Sequence, residues 1–142
     1  MLKVAVIILL VVFSYSVIIS LMEIFVPTVA TGNILKAVTG ETLDSVQSAG
    51  YLKAIKLGIM SSGIHALSSS IVCLFVLFTG FRKAQKWAWW ALLVGGCISG
   101  GGGILPISIG DWVYSFIYII GVVIFLVGIF LPIKAFFAKP VN

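Results

Sequence analysis

Acidic side chains are scarce in this chain: four Asp and Glu stand among 142 residues, against nine Lys and Arg. Charged residues make up 9% and apolar ones 61%, which leaves too little polar surface to cover a water-soluble fold of this length. Two cysteines, Cys73 and Cys97, exclude a disulfide-rich secreted scaffold. They form no C-x-x-C pair, so they carry no sign of thiol–disulfide chemistry and read as small apolar side chains. One histidine and three methionines leave no ligand set for zinc or copper. The sequence has no H-E-x-x-H, no G-x-S-x-G, no phosphate loop and no pair of carboxylates within an apolar run. No catalytic, cofactor-binding or metal-ligating residue is therefore assigned, and no cofactor is expected. The net charge of +5 is scattered between apolar stretches, which excludes a nucleic-acid binder with a basic face.

What is there is apolar length. Mean hydropathy is +1.26, and four stretches, 4–26, 57–81, 87–105 and 112–133, meet the roughly 20-residue requirement for crossing a hydrocarbon core about 30 Å thick. Backbone groups in lipid must be satisfied within the segment, so these runs predict helices. The expected fold is all-α: a polytopic membrane protein with four transmembrane helices in an antiparallel bundle, one domain over 1–142. Pro27, the Arg82-Lys83-Ala84-Gln85-Lys86 turn, Pro106 with Gly110-Asp111, and Pro132 mark the breaks. Only the connection 27–56 is long enough to carry structure of its own. There Asn33 to Val38 predicts a helical turn, and Thr42 predicts the cap of a short outer helix running toward Tyr51 and Leu52.

Orientation follows from the basic residues. Lys3, Arg82, Lys83, Lys86, Lys134 and Lys139 fall on one side, and Lys36, Lys53 and Lys56 on the other. Six against three places both termini in the cytoplasm of a multi-pass cell-membrane protein. Lys3, the apolar run after it and Ser14-Tyr15-Ser16 also follow the layout of a signal peptide. The run continues to Val26, longer than a signal core, which argues for a retained helix, with cleavage the alternative.

Helices in lipid meet through small residues. Gly58, Ser62, Ala66 and Ser70 recur at intervals of four in the second span; Gly96 and Gly100 form G-x-x-x-G in the third; Gly121 and Gly128 lie seven apart in the fourth. The second and third spans are expected to meet through these stripes, or one of them to pair with a second copy. Arg82, Lys83, Lys86, Trp87, Trp89 and Trp90 on the cytoplasmic side, and Trp112 on the outer side, are expected to anchor the chain at the headgroups.

Ionisable groups inside a span are costly, so each is a candidate site. Glu23 lies near the outer end of the first span, and His65 lies on a polar stripe of the second with Ser61, Ser62, Ser68 and Ser69. With Asp111 they define a candidate outward-facing polar cavity; the alternative is a hydrated Glu23 and a neutral His65 bonded to a neighbouring helix.

The segment Phe81-Arg82-Lys83-Ala84-Gln85-Lys86-Trp87-Ala88-Trp89-Trp90 resembles the turn between helices two and three of small prokaryotic four-helix integral membrane proteins. The Thr39-Gly40 turn followed by Tyr51 is similar as well. This resemblance implies the fold and transfers no activity or functional residue. The expected function is non-enzymatic: an accessory or structural subunit acting by helix–helix association with itself or a larger membrane protein, in contact with the lipid bilayer and not with nucleic acid. The alternative is a small transporter or ligand-binding membrane protein using the cavity near His65 and Glu23.

Overall fold

The computed structural model describes residues 1–101 and 112–138. Every regular element among them is helical. The α-helices are α1 (Leu2–Phe25), α2 (Pro27–Thr39), α3 (Ala49–Thr79), α4 (Lys86–Gly101), α5 (Trp112–Phe130) and α6 (Ile133–Phe137), with 3-10 turns at Leu43–Ser45 and Phe81–Lys83. Two stretches, Leu2–Phe25 and Ala49–Lys83, are long and apolar enough to cross a membrane. The expected third span, 87–105, runs past the described residues after Gly101.

Local chemistry explains the breaks. Pro27 cannot continue α1 because it lacks an N–H, but the same lack suits the first position of a helix, and α2 begins there at once. Gly40 ends α2 in the left-handed region, at φ 75°, with its N–H bonded to the Lys36 carbonyl at 3.1 Å. Thr42 then donates its backbone N–H to Ser45 Oγ at 3.1 Å. Ser48 caps α3 by accepting from the Tyr51 N–H at 3.3 Å.

Two boundaries differ from the sequence expectation. The helix between the first two long helices is Pro27–Thr39, whereas Thr42 opens only a three-residue turn. The second long helix starts at Ala49, well before 57. Lys53 and Lys56 end the apolar run, but lysine is a good helix former, so charge marks the limit of hydrophobicity and not of the helix. At 31 residues, α3 is about 46 Å long, at 1.5 Å per residue.

Helix α1 packs antiparallel along α3 and also against α5. Ala5, Leu9, Phe13 and Ser20 of α1 and Ile59, Gly63, Ser70 and Leu77 of α3 are buried; Ser20 closes on Gly63 of α3, whereas Leu9 and Phe13 reach Gly128 and Phe125 of α5. The antiparallel sense is set by two pairs: the hydroxyls of Ser16 and Ser70 bond at 2.7 Å, while Ser20, Glu23 and Ile24 close on Gly63. A Cβ on Gly63 would lie 2.9 Å from that of Glu23 and 3.0 Å from the Ser20 carbonyl oxygen. Gly128 of α5 plays the same part toward α1, where an added Cβ would meet Leu9 at 2.8 Å.

Within the chain the predicted stripe on the second span is divided. Ser70 is buried, but Gly58 and Ser62 are exposed, and nothing lies within 4 Å of a Cβ built on Gly58. Rows of residues four apart are inclined to the helix axis, so a stripe at constant spacing of four winds off the contact. The buried set, Ile59, Gly63, Ser70 and Leu77, is spaced by four and then by seven and stays on one side, with Gly63 in place of Ser62. Gly96 of α4 packs on α5: an added Cβ would fall on the Phe125 ring. Gly100 lies in α4, and Gly121 has open space around it.

These environments separate the glycines by their tolerance. Gly63→Ala and Gly128→Ala should each destabilise the folded chain by about 1–3 kcal/mol through overpacking. Gly58→Ala should instead be neutral or stabilising by up to about 1 kcal/mol, the gain in helix propensity. Unfolding titrations of the detergent-solubilised protein read both effects, and equal sensitivity at 58 and 63 would contradict the assigned seam.

Candidate interaction face

Helix α3 has more than one face, and the site follows from how they divide. The seam against α1 is tight and closed with a hydrogen bond. Besides bonding to Ser16, Ser70 Oγ lies 2.8 Å from the Ala66 carbonyl oxygen, and Ser20 Oγ donates to the Ser16 carbonyl at 2.8 Å. No buried side-chain nitrogen or oxygen among the described residues lacks a partner.

A second face lies roughly a third of a turn around α3, at 100° per residue. It carries Gly58, Ser61, Ser62, His65 and Ser69, all exposed. Ser68, at its edge, returns its hydroxyl to the Ile64 carbonyl at 2.9 Å. Serine can satisfy itself along its own helix in this way. An imidazole is too long for that, and no group among the described residues pairs with His65. A third sector of the same helix, Ile64, Ile71, Phe75 and Phe78, is apolar and exposed.

The residues proposed for a polar cavity are not brought together. Glu23 is half-buried with its Cβ against Gly63, on the α1 side of α3. His65 is two residues beyond Gly63, about 200° around the helix, and faces away from Glu23. Asp111 lies outside the described residues. Among the described residues no three His, Cys, Asp or Glu side chains group to hold a metal ion.

At the opposite end of the bundle the anchor residues divide. Arg82, Lys83, Lys86, Trp87 and Trp90 are exposed. Trp89 is buried, at 4% exposure, and its indole N–H donates to the Ile129 carbonyl at 3.0 Å. It is therefore a packing residue and not an interfacial one. In the run Trp87-Ala88-Trp89-Trp90 consecutive residues are 100° apart, so one of the three rings must point inward. Trp112 opens α5, and its side chain lies outside the described residues.

Sequence reasoning gave too little weight to one contributor, the weak stripe of Ser16 and Ser20, and missed two others. Ser16 and Ser20 line the α1–α3 seam, Gly80 lets the α3–α4 corner close with Trp87 and Ala88 within 2.6 Å of an added Cβ, and α6 packs Phe136 on Phe81 with ring centroids 4.8 Å apart. The Ser16 and Ser20 signal was present as a spacing of four in an otherwise apolar run. Comparison with protein-family models, with characterised proteins and with solved structures yields no match.

The Ser16–Ser70 bond is separable by a double-mutant cycle. Ser16→Ala, Ser70→Ala and the double variant should give a coupling energy of about 0.6–2 kcal/mol, the range for hydroxyl bonds between helices in lipid. A coupling of zero would show that the two hydroxyls do not support each other.

Proposed function

We propose that this chain is a four-span integral membrane protein with both termini in the cytoplasm, acting without catalysis as an accessory or structural subunit through helix–helix association. The observation that carries the association is the uncovered face Gly58, Ser61, Ser62, His65 and Ser69 on a helix whose other contacts are apolar or already used. At membrane depth such a face is costly against lipid and favourable against another helix, because hydroxyl, imidazole and glycine backbone all gain there.

Membrane residence is supported by the inverted surface. In each of the two long candidate spans only 22% of the most apolar window is buried within the chain, the opposite of a core helix in a soluble protein. Ile7, Val11, Ile18, Phe75, Ile98 and Phe116 are all at least half exposed. Helix α5, at 19 residues, is about 28 Å long and matches the hydrocarbon thickness, and α4 returns antiparallel beside it. For orientation, the packing gathers Lys3, Arg82, Lys83, Lys86 and Lys134 at one end of the bundle and leaves Lys36, Lys53 and Lys56 at the other, which supports cytoplasmic termini. The transporter reading has no such support, since Glu23 and His65 face different sides of α3.

The test is purification in mild detergent from native membranes with native mass spectrometry. A defined assembly of more than one chain is expected, weakened at least tenfold in recovery by His65→Leu combined with Gly58→Leu, and unchanged by Ile64→Leu on the apolar sector. A monodisperse single chain with no co-purifying polypeptide would overturn the reading.

A further inference from the structure

The end of the bundle opposite Glu23, Glu41 and Asp44 has a composition of its own. The start of α1, the Phe81–Lys83 turn, the start of α4 and the whole of α6 converge there on one buried cluster that includes Ala5, Phe81, Ala88, Trp89 and Phe136. The sequence alone treats Lys134 as the end of a span. In the structure the chain turns at Leu131-Pro132 and folds α6 back, burying Phe136 at 3% exposure against Phe81. Phe137 packs on Trp89, ring centroids 5.1 Å apart, and the Lys86 ammonium lies 5.9 Å from the centroid of the Phe137 ring.

This fold-back closes the end of the bundle as a plate: it seats α6, which carries Lys134, against Phe81, which Arg82 and Lys83 follow in sequence, and brings its Phe137 ring within reach of Lys86. All four cations are exposed, and none of the acidic residues among those described belongs to this end. Exposed aromatic surface borders them: Trp87 at 52%, Trp90 at 54% and Phe137 at 39%, with Trp90 and Phe137 centroids 6.4 Å apart. The Trp87 indole is held by donating to Gln85 Oε1 at 2.6 Å.

We propose that this plate is a binding surface for anionic phospholipid, with the headgroup phosphate held by Arg82, Lys83, Lys86 and Lys134 and the upper acyl chain laid against Trp90 and Phe137. The chemistry is complementary: an uninterrupted cationic cluster faces phosphate, and rings that are neither buried nor fully hydrated face the glycerol and first methylenes. An acidic protein segment would satisfy the cations but would leave the aromatic border without an apolar partner. The proposal rests on the membrane reading given above, and its test separates the two.

The full chain carrying Trp112→Phe, which leaves Trp87, Trp89 and Trp90 as reporters at the plate, is reconstituted into vesicles of phosphatidylcholine alone or with phosphatidylglycerol. Flotation with the pure phosphatidylcholine vesicles after a high-salt wash tests the membrane reading by itself. Tryptophan quenching is then compared for brominated phosphatidylglycerol and brominated phosphatidylcholine at equal mole fraction. Stronger quenching by the anionic lipid is expected, with a preference reduced roughly fivefold for each cation removed near the surface. The variant Arg82→Gln, Lys83→Gln, Lys86→Gln, Lys134→Gln should quench equally with both lipids, and the corresponding lysine-to-arginine variant should keep the preference. Equal quenching of the unmutated plate by the two lipids, in protein that floats, would overturn the lipid assignment. Failure to float would overturn the membrane reading instead.

Discussion

The close approach of α1 to α3 at Gly63 is the constraint on which the remaining packing depends. With no side chain there, the Ser20 carbonyl oxygen, Glu23 Cβ and Ile24 Cγ1 come within about 3 Å of where a Cβ would stand. That proximity lets Ser16 and Ser70 bond directly further along the seam. Once α1 is drawn in, its far side meets Gly128 of α5 through Leu9 and Ile8, and α5 in turn presents Phe125 to Gly96 of α4. Three helix pairs thus use the same device, a glycine that admits either backbone or a bulky side chain. In lipid, where apolar surface gains little by leaving the solvent, dispersion at short range and interhelical hydrogen bonds are what remain to hold helices together.

The same packing explains why polar groups sit where they do. Serines inside the seam bond across it or back along their own helix, so they cost little. His65 and the serines beside it are excluded from the seam by helical geometry, and they form a face that the chain itself does not cover. At the plate end the order is reversed: aromatic rings close the core, and the charges ring its outside. The bundle therefore has one lateral face of uncovered polar and small residues and one end where exposed cations surround a closed aromatic core, set by different residues and different physics.

Much of the helix content was legible without coordinates, because Pro27, Gly40 and Pro132 mark ends by covalent restriction and apolar runs mark the interiors. The outer segment was misplaced for an equally local reason. Thr42 and Ser48 are both acceptable caps, and nothing in their neighbourhood says which one opens a lasting helix; only the continuation from Ala49 into α3 decides it. The relation of Glu23 to His65 was hidden at a different level. Glu23 and His65 are both ionisable and both lie in apolar runs, but whether they share a side of α3 depends on the rotation of that helix about its own axis.

By itself, then, the sequence determined the quantities that follow from residue type and order along the chain: the helical class, the breaks, the lack of metal and nucleophile motifs, and the bias of basic residues between loops. Tertiary structure decided which face of each helix is used. The physical reason is that small residues are plentiful around these helices, with Gly58, Ser62, Gly63, Ala66 and Ser70 all on α3, so spacing alone offers several seams of similar quality. The choice among them is made by the partner's shape, here the Ser16 and Ser20 side of α1. It was made again at the other end of the bundle, where only the fold-back of α6 sets Phe136 on Phe81 and Phe137 on Trp89.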